Sequence, residues 1–223
     1  MCGRYYVAID DDELRIIGEE AERIASSFAA PPDVKTSGEI FPTDIVPVQF
    51  GMERYAPMKW GFINFDRKMI INARSETALD KPMFKKPMLE SRCLIPASGY
   101  YEWRRETADG GNDKASDKAT GKDNDNENSG DKSSGKSKGK EKKTKFQFYI
   151  PGQLMYLAGC YRMEKDSPIA HFVILTRPAV NGLETFHDRM PVIIPKERIV
   201  AWMRDGHAAM ESAVSELAYR ASA

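Results

Sequence analysis

No apolar run in the chain approaches the roughly 18 residues needed to cross a bilayer. The start, Met1-Cys2-Gly3-Arg4-Tyr5, leads into Asp10-Asp11-Asp12 and offers no secretory h-region. Cysteine is scarce: three residues, an odd count without disulfide-like spacing, which fits a reducing compartment. Histidine is equally scarce at three, and no Cys-x-x-Cys or Cys/His cluster supports a metal site. No metal, cofactor or membrane partner is therefore expected. There is no excess of either charge, with 33 basic against 33 acidic residues. That balance excludes a bulk polycation and an acidic tail protein, yet leaves room for a local basic groove. The length of 223 residues suits one domain or two small ones.

The residues Arg105 to Lys145 lack Leu, Ile, Val, Met and aromatics altogether, and three alanines are their apolar content. Such a stretch buries too little to offset the entropy of ordering it. Segment 105–145 is expected to be a disordered, low-complexity insertion in one domain spanning 1–223. Its second part, Lys132–Lys145, carries seven basic residues and one acidic residue, and a nucleic-acid arm there is the less favoured reading.

The rest is mixed. An Asp near position 12 caps a helix whose apolar face is Leu14, Ile17, Ala21, Ile24, Ala25 and Phe28, before Pro31-Pro32. Strands are expected at Ile45–Phe50, Tyr55–Phe62, Met69–Asn72, Cys93–Ile95, Tyr100–Arg104, Phe146–Ile150, Leu154–Tyr161 and His171–Thr176. Tyr100–Arg104 and Phe146–Ile150 form a hairpin with a greatly extended loop. Helices are expected around Lys196–Met203 and Ala208–Tyr219. Central strands with terminal helices indicate α+β rather than alternating βαβ.

Cys2 follows the initiator Met and precedes a small residue, so aminopeptidase removal of Met1 leaves an N-terminal cysteine. Its α-amine, with a pKa near 8, is partly neutral at pH 7 and can attack an aldehyde; the neighbouring thiol can then close a five-membered ring. Position alone favours the plainer reading, a small residue suited to Met removal. Cys93 and Cys160 sit in apolar strands and resemble small hydrophobes. His187, in Phe186-His187-Asp188-Arg189-Met190-Pro191, suits a general acid/base, although a lone histidine is more often structural. His171 and His207 take the plain structural reading. Glu102 shares a strand face with Tyr100 and opposes Tyr101 and Trp103, so it either meets solvent or sits in a pocket with a raised pKa. Asn72 and Arg74 end an apolar strand, where the guanidinium suits a phosphate.

MCGR at Met1–Arg4, INARSET at Ile71–Thr77, RCLIPASGYYEW at Arg92–Trp103 and HDRMPV at His187–Val192 occur in that order. The set resembles the SOS-response-associated peptidase (SRAP) family of abasic-site-processing proteins. It is joined by Trp60-Gly61 and Pro42-Thr43, and the resemblance spans nearly the whole chain outside the insertion.

The resemblance implies a mixed α+β fold with a barrel-like sheet, peripheral helices and a cleft for single-stranded DNA. It implies that mature Cys2 captures the ring-opened C1′ aldehyde of an abasic site as a thiazolidine crosslink. Asn72 then bonds the adduct, His187 transfers protons and Glu102 assists ring chemistry and reversal. Arg4 and Arg74 match phosphate-gripping positions, and Pro42, Trp60 and Phe62 match the DNA surface. The family name also records an autoproteolysis, for which Met1 is the residue available here. A monomeric cytoplasmic protein, gathered at nucleoid damage sites, is the expected setting.

This chain has Glu39-Ile40-Phe41 where many members carry Asn, and Phe62-Ile63-Asn64-Phe65 where they carry paired tryptophans. It is also expected to end without the last strand of longer members. Two other classes compete. A glutamine amidotransferase-like hydrolase also starts Met-Cys-Gly, but its glutamine-binding and oxyanion motifs are absent. A non-covalent single-strand binder would use the same arginines and aromatics and give salt-sensitive, reversible binding.

Overall fold

Leu94-Ile95, Leu157-Ala158 and Phe172–Leu175 are continuous apolar runs because both faces of their strands are buried. The computed structural model describes residues 2–8, 10–106 and 142–222. Its strands are β1 (Tyr5–Val7), β2 (Gly38–Ile40), β3 (Ile45–Gln49), β4 (Tyr55–Trp60), β5 (Phe62–Ile63), β6 (Met69–Ile70), β7 (Asn72–Arg74), β8 (Arg92–Ala97), β9 (Gly99–Glu106), β10 (Lys142–Tyr149), β11 (Met155–Met163), β12 (Ala170–Pro178), β13 (Arg189–Pro191), β14 (Ile193–Ile194) and β15 (Ala218–Ala221). Its helices are α1 (Asp12–Ala25), α2 (Pro82–Glu90), α3 (Ile199–Arg204) and α4 (His207–Glu211).

Pairing runs β12–β4–β3–β8–β11 and back to β12, a closed five-strand ring. The fold is thus a mixed α+β domain with a barrel-like sheet and few helices, as expected. Against the barrel lies a second sheet in the order β15-β10-β9-β1-β2. Strand alternation feeds two cores. Cys93, Ile95, Phe172, Ile174 and Leu157 join Tyr5, Tyr100, Phe146 and Phe148 on the side of the second sheet. Leu94, Val173, Leu175 and Ala158 instead meet Phe84, Met88 and Trp202 from α2 and α3. Cys93 and Cys160 are fully buried, as small hydrophobes should be. Gly159 permits the closure: a Cβ there would lie 2.6 Å from the Val173 carbonyl oxygen across the β11–β12 pair.

Helix α1 begins where Asp11 Oδ1 accepts the Leu14 amide at 3.0 Å, a cap worth about 1 kcal/mol. Leu14, Ile17, Ala21 and Ala25 form its buried stripe, and it stops at Ala25, well before the prolines.

Three expectations are corrected. Arg105, Glu106 and Lys142–Lys145 are ladder residues in the β9–β10 pair, so the ends of the supposed insertion are structured. The rest of that segment, 107–141, lies outside the described residues. The helix expected over Ala208–Tyr219 ends at Glu211, and Ala218–Ala221 is a strand on the edge of β10. That strand also supplies the terminal pairing thought to be missing. The physical cause is tertiary. Tyr219 lands on Phe146, Phe148 and Phe186, with ring centroids 4.8–6.1 Å away, and the ladder covers an otherwise open sheet edge.

Candidate active site around Cys2

Strand β1 pairs with β9 in the register Tyr5↔Tyr100, and the Tyr101 amide donates to the Arg4 carbonyl at 3.0 Å. Continuing that register backwards sets Gly3 opposite Glu102, so the neighbouring Cys2 lies close enough to feel the Glu102 charge. Strand β7 enters from the barrel: Asn72 faces Ile174 on β12, and Asn72 Nδ2 donates to the Cys2 carbonyl at 2.9 Å. His187 precedes β13, which pairs with the far end of β12. Residues 2, 72, 102 and 187 thus reach one region from four separate chain segments.

Cys2 is completely buried. Burial, with the nearby Glu102 charge, pushes its thiol far above the ordinary range. Its Sγ lies 3.9 Å from the Arg4 carbonyl. Glu102 is 6% exposed, and burial lifts its carboxyl to about 6, with the Asp188 charge adding to the rise. Desolvation penalises the ionised form and leaves this acid able to give or take a proton near neutrality. His187 Nδ1 accepts the Arg189 amide at 3.0 Å and also lies against the Asp188 carboxylate. Burial lowers the His187 pKa, with Asp188 opposing and Arg189 reinforcing the drop. A neutral imidazole at pH 7 is a base, not an acid. Asn72 Oδ1 is buried without a hydrogen-bond partner among the described residues, leaving an acceptor beside Cys2.

The expected DNA contacts separate into two groups. Arg74 is exposed on the same face of β7 as Asn72, and its guanidinium has no hydrogen bond or ion pair among the described residues. Arg4 instead bonds Glu39 at 3.1 Å and rests over the rings of Phe41 and Trp103, at 4.3 and 5.2 Å. Pro42 is half-buried in the turn between β2 and β3, where Thr43 takes φ +80° and its amide bonds the Trp60 carbonyl.

Trp60 and Phe62 are corrections, since both are fully enclosed. Trp60 Nε1 donates to the Ile71 carbonyl at 3.0 Å, and its ring packs between Tyr5 and Phe172. Phe62 packs on Phe84 beneath the Arg162 guanidinium. Neither presents a face to a base. Exposed rings among the described residues include Phe41, beside Arg4, Phe65, in the β5–β6 turn, and Tyr219, on the edge strand β15. His171 is structural as expected, its Nδ1 2.7 Å from the Gly61 carbonyl. His207 has a described backbone in α4 only.

Sequence reasoning missed a clamp inside its own motifs. Arg189 is buried and holds both Glu76 oxygens, the Nη2–Oε2 bond being 2.8 Å, while Nη2 also reaches the Thr176 carbonyl at 2.6 Å. The charge pair pulls Glu76 down to about 2. Both residues were legible in INARSET and HDRMPV, but no spacing rule links positions 76 and 189. A groove of about 900 Å3 is lined by Ile63, Phe65, Met83, Pro168 and Ile169, among others. None of Cys2, Asn72, Glu102 or His187 lines it.

The family described as SOS response associated peptidase (SRAP) matches residues 1–124 and 134–223. The abasic site processing protein YedK of Escherichia coli is 28% identical over 228 residues, covering 96% of this chain and 86% of YedK. The abasic site processing protein YoqW of Bacillus subtilis is 29% identical over 162 residues, covering 67% of this chain. The chain spans 57% of YoqW and 47% of the similar mouse protein HMCES, which is 27% identical over 172 residues. Among solved structures, a phage-related protein from Bordetella bronchiseptica superposes with a TM-score of 0.65 at 19% identity, over 99% of this chain and 94% of its own. A Bacteroides thetaiotaomicron protein gives 0.64 at 20% identity, over 97% and 91%. These two likenesses are of fold.

Proposed function

Since the chain belongs to the SOS response associated peptidase family, we propose that it processes abasic sites in single-stranded DNA by covalent capture at Cys2. Removal of Met1, by an aminopeptidase or by the site itself, gives Cys2 its α-amine. That amine attacks the C1′ aldehyde of the opened sugar to form a carbinolamine. Water leaves as the carbinolamine oxygen is protonated, giving an iminium. The Cys2 thiol then adds to C1′ and surrenders its proton, closing a ring of N, Cα, Cβ, S and C1′. The balance is amine plus thiol plus aldehyde giving thiazolidine plus one water.

Support for the roles comes from the environments of the side chains. Glu102, with a pKa near 6, serves both as acid for the departing water and as base for the thiol. Burial disfavours the thiolate, so ring closure needs a nearby base. Neutral His187 takes the proton released when the amine attacks. Asn72 fixes the Cys2 carbonyl and keeps an acceptor free for the adduct. Arg74 is the exposed cation positioned for a phosphate, and Phe41 and Phe65 replace Trp60 and Phe62 as the rings on which bases stack, each contact worth about 1–3 kcal/mol.

The observation that carries the reading is Cys2 enclosed beside a carboxyl of raised pKa with its own carbonyl held by Asn72. The test uses single-stranded DNA with one abasic site, resolved on denaturing gels. Wild-type protein gives a heat-stable adduct, and intact DNA gives none. Cys2→Ala keeps an α-amine without a thiol, so its adduct needs borohydride to survive. A heat-stable Cys2→Ala adduct without reductant would assign the nucleophile elsewhere. No adduct from the wild type would remove the reading.

A further inference from the structure

The outward face of the second sheet carries a carboxylate held between two cations. Glu39 Oε1 accepts from Arg4 Nη1 at 3.1 Å and from Lys145 Nζ at 2.9 Å. Both cations are seated on rings: Arg4 over Phe41 and Trp103, and Lys145 over Tyr101 at 3.9 Å. Glu39 belongs to β2 and Lys145 to β10, with β1 and β9 between them in the sheet. Three strand steps are about 14 Å, so two long side chains meet above the intervening strands. All three groups remain solvent-accessible, with side-chain exposures of 23–35%. A partly exposed ion pair of this kind adds little stability. Its geometry, an oxygen anion shared by two ring-mounted cations, is that of a phosphate contact.

We propose that Arg4 and Lys145 form a phosphodiester subsite for single-stranded DNA, and that Glu39 occupies it as a built-in competitor. The proposal rests on the reading of the chain as a single-strand DNA protein and deepens it. It adds Lys145, on the strand that returns from segment 107–141, to the DNA surface, and it gives Glu39 a role in setting affinity. The resident carboxylate cancels one of the two positive charges. An incoming phosphate takes over both cations as Glu39 turns to solvent. Binding is weakened relative to an open subsite, and the protein is biased toward DNA whose other contacts are also satisfied.

The two outer members of this trio separate a competitor from a structural ion pair. Glu39→Gln and Lys145→Gln break the same Glu39–Lys145 bond, so a purely structural role moves DNA binding the same way in both. A competitor moves them in opposite directions. The measurement is equilibrium binding of an intact, fluorescein-labelled oligothymidine across a salt series, alongside the abasic crosslinking assay. Glu39→Gln should tighten binding about 3–10-fold. Lys145→Gln should weaken it by a similar factor and flatten the log–log salt slope by about 0.7, the single-strand value for one lost contact. Weaker or unchanged binding by Glu39→Gln overturns the proposal, as does tighter or unchanged binding by Lys145→Gln or failure of the wild type to bind the oligothymidine. An absent abasic crosslink together with the opposite-signed binding shifts overturns the covalent chemistry and leaves the subsite standing.

Discussion

Glu102 lies near Asp188 and Glu76 grips the next residue, Arg189, yet their surroundings drive the two carboxyls in opposite directions. Glu102 is held among apolar walls beside Cys2, and burial lifts its carboxyl to about 6. Glu76 is more open and faces Arg189, which draws it down to about 2. Both begin from an ordinary 4.5. The first environment leaves a proton that can be exchanged near neutral pH. The second fixes a permanent anion that anchors β13 to the turn after β7. The proposed proton transfer and the scaffolding role thus divide by burial against charge pairing, not by residue type.

The largest effect expected from breaking this contrast is on the chemistry. Glu102→Gln should slow thiazolidine formation or reversal by roughly 10²-fold or more, the usual worth of a positioned proton-transfer group. It should also abolish an inflection near pH 6 in the rate profile. The sign for stability follows from the raised pKa. Glu102 contributes stability fully below about pH 4.5, and that contribution is lost as pH rises through about 6. Thermal melts should therefore show the wild type losing stability across that window and Glu102→Gln losing less. A rate profile that keeps its pH 6 inflection in the variant would assign the proton to another group.

A smaller effect is expected at the clamp. Glu76→Gln leaves the buried Arg189 with the Thr176 carbonyl but no counter-charge, and should cost about 1–3 kcal/mol in denaturant unfolding at neutral pH. Because the native pKa is depressed, the wild-type advantage is present above about pH 4.5 and disappears as pH falls through about 2. The pH dependence of the crosslinking rate should be unaltered. A shifted rate profile in Glu76→Gln would join the two carboxylates into one functional unit.

The smallest effect is expected from the compositionally poorest region. Deleting 109–139 and leaving the β9–β10 ladder intact should change stability by only about 0.6 kcal/mol per halving of the loop. Crosslink yield should be unchanged. The paired ends set the limits of the deletion, since Lys145 bonds Glu39 and Arg104 lies over the Phe146 and Phe186 rings. A melting-temperature loss of many degrees would mean that the deleted residues contribute to the fold.

Much of the site was legible because its motifs are local. An N-terminal Met-Cys-Gly-Arg, the alternation around Glu102 and the His187 segment each carry their meaning within a few residues. Tyr100 inward with Glu102, and Tyr101 and Trp103 on the other face, follow from strand periodicity alone. Trp60 and Phe62 were misplaced for a related reason: aromatic identity does not reveal which side of a strand is roofed. Arg162 and Phe84 cover one ring, and Tyr5 and Phe172 enclose the other, from segments far away in sequence.

By itself the sequence determined the α+β class, the apolar strands, the cap of α1 and the residues from which a Cys2 site is assembled. These rest on local propensity and side-chain period, which a few neighbours suffice to fix. Only the tertiary structure decided that the barrel closes through β11–β12, that Ala218–Ala221 is a strand, that Arg189 grips Glu76 and that Glu39 sits on Arg4 and Lys145. Each of those depends on groups brought together by long-range strand pairing. Burial and ion pairing are set by distances in space, which residue order alone does not specify.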